Sequence, residues 1–290
     1  GHWNLCHIPI LPATGNFTAD DYCSTYSHNN ESAHPGYYQV FIQRYGINAE
    51  MTSTLRCAYH RFTFEAGKDK KLIVDLSTSN ERIKDWQITQ ESENVFSGFQ
   101  ENSEKMYFYA VSNHAIKNID SIRGESKSVS IVNFANNKEP LELKIGFSFV
   151  NIKNAKENLE KEIGNKDFAE IRNEATETWE NLLSRIKVSG GTEKQRWIFY
   201  SSLYRSFLWP ALRSDANGEF TDAKGEVVNK GFRYYTDPSF WDDYRNKLIL
   251  LGMISPDVAA DVINSITDKG EKTGFMPTFF HGDHASTFVI

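Results

Sequence analysis

The stretch LELKIGFSFVNIKNAKENLEKEIG, residues 141–164, contains the change of pattern that decides the fold. Residues 141–150 form a short strand candidate. The apolar residues that follow recur at the spacing of one helix face: Ile152, Ala155, Leu159 and Ile163. The chain is therefore predicted to change from strands to helices near residue 150.

The half before this change contains many short strand candidates, separated by polar turns with glycine or asparagine. In TLRCAYHRFTF, the side chains of Leu55, Cys57 and Tyr59 are predicted to share one face. Other candidates are YYQVFIQRYGINAEM, KLIVDLS, DWQITQ, KMYFYAVS and SVSIVNF. Short strands at this spacing favour an antiparallel sandwich or barrel.

The half after the change is predicted to be mainly helical. Capping boxes, which satisfy free backbone N–H groups at a helix start, are predicted at Asp167 with Glu170 and at Thr192 with Gln195. The segment SDANGEFTDAKGEVV is predicted to form a hairpin, and the dipeptide Ser255–Pro256 to start another helix. The elements after residue 150 are thus helices with one hairpin between them.

The order of these elements indicates two domains, residues 1–150 and residues 151–290. Successive amphipathic helices joined by short loops indicate helical hairpins, of the kind that can close into a ring. Trp179 and Trp197 lie on the apolar faces of their helices and are predicted to be core residues.

Composition limits the classes of function. The 290 residues carry a formal net charge of −6 and no Lys/Arg-rich block, so nucleic acid and anionic membranes are poor candidates as partners. No apolar run reaches the roughly 18 residues of a membrane span. Cys6, Cys23 and Cys57 suggest no disulfide framework; one bridge and three buried thiols both stay open.

Residues 238–257, PSFWDDYRNKLILLGMISPD, place Trp241, Asp242 and Asp243 side by side at the start of a helix. One interpretation is structural, because carboxylates there face the positive end of the helix dipole. The other is a sugar site, in which the Trp ring contacts the sugar and a carboxylate accepts hydrogen bonds from its hydroxyls. The local sequence leaves both interpretations open.

Further motifs follow one another in a specific order. In the strand half they are Ser27–His28, Glu31, Pro35–Tyr38, Glu50–Thr54, Arg56 and His60–Phe64. In the helical half they are FYSSLYRSFLWPALRSDANGEF, FWDDYR and GDHAS. Together they resemble glycoside hydrolase family 92, the calcium-dependent exo-acting α-mannosidases, although Asp243 replaces the usual Thr. The resemblance implies an N-terminal antiparallel β-sandwich followed by the beginning of an (α/α)6-type helical toroid.

The resemblance also implies hydrolysis of terminal α-linked mannose from glycans, with inversion at the anomeric carbon. Family members use a Glu acid in a Glu-Gly-Asn-type motif and an Asp base in a Gly-Asn-Asp-Asp-type motif, and neither string occurs here. Inversion needs both carboxylates, about 6.5–9.5 Å apart. No catalytic residue is therefore assigned, and the chain alone is expected to be an inactive fragment of a larger enzyme, cut at both ends.

The residues assigned to substrate binding come from the helical half. Trp241 and Asp242 are expected to line the pocket for the terminal mannose, and His284 to lie close to it. Arg245 would orient Asp242, or would form a surface salt bridge instead. No metal site is assigned, because the cluster at His281–His284 lacks further ligands. Calcium is expected for the intact enzyme, with ligands outside this chain.

Three further polar residues are expected to have structural roles, and two alternative functions stay open. Asp243 is predicted to be a helix-end carboxylate, and His28 and Glu31 to have a structural loop role. A non-catalytic carbohydrate-binding or scaffold protein remains an alternative, as does an unrelated metalloenzyme that uses the His281–His284 cluster. Linkage specificity, oligomeric state and compartment stay open, although family members are commonly exported.

Overall fold

The computed structural model describes residues 7–125, 127–243 and 245–277, without the side chain of Trp241. The chain divides between Thr176 and Glu177 into two compact units, each treated by itself. The domain boundary drawn at residues 150 and 151 stays a prediction.

Two antiparallel sheets form the described part of the first unit. One contains β1 (Ile10–Ala13), β6 (Lys70–Val74), β10 (Ile116–Arg123) and β11 (Ser128–Phe134), in the order β1-β6-β11-β10. The other contains β2 (Glu31–His34), β3 (Tyr37–Ile42), β4 (Ile47–Ser53), β5 (Cys57–Thr63), β7 (Asp85–Ser92), β8 (Val95–Glu101), β9 (Lys105–Ser112) and β12 (Leu141–Ser148). Its order is β2-β3-β4-β5-β12-β9-β8-β7.

The core of this unit lies between the inner faces of the two sheets. Phe62, Phe96 and Phe108 of the larger sheet are almost completely buried, as is Phe134 of the smaller one, and all belong to one apolar cluster. Alternate residues of each strand point to opposite faces, so one face of each sheet can supply this core. The predicted sandwich is confirmed.

Helix α1 (Ile152–Glu162) covers part of the outer face of the larger sheet. It lies so close to β12 that a Cβ atom at Gly146 would stand 2.1 Å from the carbonyl oxygen of Ala155. At its end, Oε1 of Glu162 lies 2.7 Å from Nη1 of Arg56, and both side chains are mostly buried. Helix α1 is therefore packed as part of the sandwich unit. Helix α2 (Phe168–Leu183) follows it.

The second unit contains helices and a short hairpin. Its elements are α3 (Glu193–Ser206), β13 (Phe220–Thr221), β14 (Val227–Val228), α4 (Phe240–Asp243), α5 (Lys247–Ile254) and α6 (Pro256–Thr273). Its main apolar cluster consists of Tyr235, Phe240, Leu248, Leu251, Ala259, Val262 and Ile266. The predicted order of strands followed by helices is thus confirmed.

Local sequence signals are confirmed where they concern caps and turns. Asp167 and Glu170 exchange side-chain to backbone hydrogen bonds of 2.9 and 2.7 Å, and Thr192 and Gln195 form the other capping box. The hairpin also forms, because β13 pairs with β14. Among the described residues, no helix has the length and apolar character to cross a membrane.

Some expected core positions are wrong. Leu55 is 72 % exposed, because β5 begins only at Cys57 and Leu55 lies in the preceding turn. Trp197 is 69 % exposed on α3 and not a core residue. Trp179 is half-buried, with its ring centroid 4.5 Å from that of Tyr204.

The thiols of two cysteines are free, and their environments differ. The thiol of Cys57 is buried, whereas that of Cys23 is exposed. Of the two alternatives left open by the sequence, a set of three buried thiols is excluded by the exposure of Cys23. Cys6 lies outside the described residues.

Candidate substrate-binding site

Hydrogen bonds from Trp209 and from Lys269 hold the loop that leads into the FWDDYR motif. Nε1 of Trp209 donates a hydrogen bond of 2.8 Å to the backbone oxygen of Asp237. Nζ of Lys269, on α6, donates to the backbone oxygen of Tyr235 at 2.9 Å and to Oδ1 of Asp237 at 2.6 Å. These contacts fix the backbone just before α4.

Phe240 anchors the first residue of α4 in the core. Its side chain is fully buried in the apolar cluster with Leu248 of α5 and Val262 of α6. Residues three apart on a helix lie on the same side. Asp243 therefore faces the interior with Phe240, whereas Asp242 is turned toward solvent.

The carboxylate of Asp243 has a structural ion pair. It is buried, and its Oδ2 lies 2.7 Å from Nζ of Lys247, at i,i+4 spacing. The side chain of Lys247 is also mostly buried, so solvent screens this pair less than it would screen a surface pair. The contact joins α4 to the first residue of α5.

The carboxylate of Asp242, the third residue of α4, is exposed to solvent. The hydroxyl of Ser239 donates a 2.7 Å hydrogen bond to its Oδ2. The backbone N–H of Asp242 donates to the backbone carbonyl oxygen of Ser239. These bonds orient the side chain without burying it. Of the two adjacent acids, Asp242 is the one that a ligand can reach.

The other predicted site residues are only partly described. Trp241 belongs to α4, but its side chain lies outside the described residues. Arg245 is exposed in the turn between α4 and α5. His284, like the rest of the His281–His284 cluster, lies outside the described residues. The structure therefore places Asp242 and Arg245 at the same α4–α5 corner and leaves Trp241 and His284 as predictions.

A metal site needs several converging ligands. In the described part of the chain, no group of three or more His, Cys, Asp or Glu side chains could hold a metal ion.

Sequence reasoning missed the residues that position the motif. The spacing of Asp243 and Lys247 at i,i+4 was a usable signal for their ion pair. Lys269 and Asp237 are 32 positions apart in the sequence, and no local pattern predicts their contact. Ser239, three residues before Asp242, could have been found as a capping residue.

Comparisons with known proteins agree with this architecture. The N-terminal domain model of glycosyl hydrolase family 92 matches residues 1–155, and the catalytic domain model of the same family matches residues 154–289. No curated protein matches the chain significantly.

Solved structures share the fold. The family GH92 α-mannosidase BT3965 from Bacteroides thetaiotaomicron is 24% identical, with a TM-score of 0.84 over 92% of this chain and 40% of that one. The inverting mannosidase BT2199 from Bacteroides thetaiotaomicron VPI-5482 is also 24% identical, with a TM-score of 0.84 over 97% of this chain and 42% of its own. The family hydrolase ccman5 is 22% identical, with a TM-score of 0.85 over 98% and 44%.

These structures extend well beyond the present chain, which spans about 40% of the length of BT3965. At this identity they establish the fold. The two domain models cover the sequence from residue 1 to residue 289, in the family's order. The resemblance drawn from the sequence motifs is thereby confirmed, and this chain belongs to glycosyl hydrolase family 92.

Proposed function

We propose that the protein containing this chain is a glycoside hydrolase that removes terminal α-linked mannose from glycans with inversion. The observation that carries the proposal is the match of both family domain models, end to end along the chain. The fold shared with BT3965, which was also solved in complex with mannoimidazole, supports a mannose-containing substrate.

In this proposal the α4–α5 corner forms one wall of the pocket for the terminal mannose. Asp242 accepts hydrogen bonds from the sugar hydroxyls, a role that its exposed carboxylate and its bond from Ser239 support. Trp241 contacts the sugar ring, Arg245 orients Asp242, and His284 lies at the pocket. Hydrogen bonds to an ionised carboxylate are stronger than neutral ones, so they can hold a distorted ring.

The same proposal places the acid–base pair and the calcium ligands outside this chain. Neither of the family's acid and base motifs occurs in the sequence, and the described residues offer no metal cluster. Calcium would help to distort the mannose in the intact enzyme. We propose that the 290-residue chain binds part of the substrate and does not hydrolyse it.

The first experiment compares the purified 290-residue chain with the longest product of the same gene. Release of mannose from α-mannobiose is measured for both, with and without a calcium chelator. We expect turnover only from the longer product, with loss of activity on chelation. Turnover by the 290-residue chain would contradict its predicted inactivity, and no turnover by either would favour a binding or scaffold role.

The second experiment uses the adjacent acids as a matched pair in the longer product. Asp242→Asn should lower kcat/KM by about a hundredfold or more, because a charge-assisted contact to the transition state typically contributes a few kcal/mol. Asp243→Asn should instead lower the melting temperature, since it leaves Lys247 partly buried without its partner.

Both kcat/KM and the melting temperature are measured for each variant. Small effects on kcat/KM, of equal size for the two variants, would contradict the proposed contact between Asp242 and the sugar. A kinetic loss only for Asp243→Asn would reverse the assignment.

A further inference from the structure

The outer face of the sandwich carries a groove at the edge of the larger sheet. It has a volume of about 480 Å³, within the about 300–1,000 Å³ typical of small-molecule sites. The residues that line it are largely neutral and polar: Asn29, Asn30, Ser32, Gln39, Phe41 and Asn48. Glu31 also lines it.

The pairing of β2, β3 and β4 brings these residues together. Ser32 lies opposite Gln39, and Phe41 opposite Asn48. Their neighbours Val40 and Ala49 contact the sandwich core. Because side chains alternate between the faces of a sheet, those of Ser32, Gln39, Phe41 and Asn48 lie on the outer face.

Hydrogen bonds hold the middle of the groove in place. Nε2 of Gln39 donates to Oδ1 of Asn48 at 2.9 Å, and the hydroxyl of Tyr37, which donates to Oε1 of Glu50 at 2.9 Å, lies 3.1 Å from Oε1 of Gln39. The bond from Gln39 uses Oδ1 of Asn48 and leaves its Nδ2 group as a donor. A ligand would meet a preorganised amide there.

The edge of the groove is formed by a short 3-10 turn, His28–Asn30, whose start is capped by the side chain of Ser27. The turn exposes Asn29 and Asn30, which add two amides with both donors and acceptors. The carboxylate of Glu31 is used internally, since Nδ1 of His28 and the hydroxyl of Tyr38 lie 2.5 Å from its two oxygens. The groups offered to a ligand are thus mainly neutral.

Phe41 is the apolar element of the groove. It is half-buried, yet it belongs to none of the apolar clusters in the described residues, because it lies on the face opposite the core. An aromatic side chain among several amides offers both of the contacts that a sugar ring uses: a flat apolar surface and donors and acceptors for hydroxyls.

We propose that this groove is a second carbohydrate-binding site, in which a neutral sugar ring contacts Phe41 while the amides of Asn29, Asn30 and Asn48 bind its hydroxyls. The proposal does not depend on the α-mannosidase activity, because the groove lies within the sandwich unit and binding can be measured without turnover.

Saturation-transfer difference NMR on the 290-residue chain tests the proposal. The probes are methyl α-D-mannopyranoside, methyl β-D-glucopyranoside and methyl β-D-galactopyranoside. At least one should bind with a dissociation constant in the millimolar range, and Phe41→Ala should weaken that binding about tenfold or more, which is about 1.4 kcal/mol. Asn48→Ala removes one of the amides of the groove and should also weaken the binding.

A control variant makes the result specific. Phe99→Ala changes another half-buried phenylalanine of the same sheet that does not line the groove, and it should leave the affinity unchanged. The proposal is overturned if no probe binds, or if Phe41→Ala and Asn48→Ala bind as tightly as the parent chain.

Discussion

The two units differ in how completely they bury their large apolar side chains. In the sandwich, Phe62, Phe96, Phe108 and Phe134 meet in one cluster between the two sheets and are at most 2 % exposed. In the helical unit, Trp197, Met253 and Phe275 are 69 %, 75 % and 80 % exposed. The amphipathic pattern is present in both, so the pattern identifies an apolar face without revealing what covers it.

The largest expected effect comes from a pair of phenylalanines, one from each unit. Phe62→Ala should destabilise the sandwich by about 3–5 kcal/mol, because it removes a 1 % exposed ring from the core. Phe275→Ala should change the stability of the helical unit by less than about 0.5 kcal/mol, because its ring is already in water. Urea unfolding followed by circular dichroism measures both, and equal effects would break the contrast between the units.

Acid should weaken the sandwich in a pH range set by His60. Burial lowers the pKa of His60 to about 4, from an ordinary value of 6.5. The unfolded chain therefore binds a proton more readily than the folded one between these values, so stability falls as the pH drops from 6.5 to 4. The loss should reach up to about 3 kcal/mol below pH 4.

Unfolding free energies measured between pH 7 and pH 4 test this, with His60→Gln as the variant that removes the titrating group. Its pH dependence should be flatter than that of the parent chain. In the helical unit, burial favours neutral Asp222, but Lys272 and the backbone N–H groups of Glu226 and Lys224 outweigh it and lower its pKa below 3.8. The contribution of Asp222 should therefore persist through the same range, and an unchanged slope in His60→Gln would contradict the assignment.

The smallest expected effect on stability comes from the exposed face of α3. Trp197→Lys should change the free energy of unfolding by less than about 0.5 kcal/mol, because the ring is 69 % exposed. It should nevertheless reduce self-association, since an exposed apolar surface favours aggregation. Sedimentation velocity of the parent chain and the variant measures this, and a large loss of stability would show that Trp197 is packed in solution.

The sequence predicted best what depends on near neighbours. The capping box of Thr192 and Gln195 needs only residues three apart, and the strands of the sandwich follow from alternation. A local pattern could not predict that Asp243 is buried and Asp242 exposed, because this difference depends on the burial of Phe240 against α5 and α6. The tie between Lys269 and Asp237 depends on the tertiary fold in the same way.

The orientation of Phe41 follows from the alternation of its strand. In YYQVFIQ, Tyr38, Val40 and Ile42 alternate and are predicted to share one face, so Phe41 belongs to the opposite face. The core contacts of Val40 and Ile42 agree with this alternation. The polar residues that surround Phe41 are known only from the pairing of β3 with β2 and β4.

The close contact between Gly146 and Ala155 limits how relatives could exchange segments by recombination. The two family models meet at residues 154 and 155, inside α1. A chimera joined there would place the rest of one protein's α1, including the partner of Arg56, on another protein's β12. Because the gap at Gly146 has no room for even a methyl group, such exchanges should be tolerated better when the junction follows α1 than when it divides the helix.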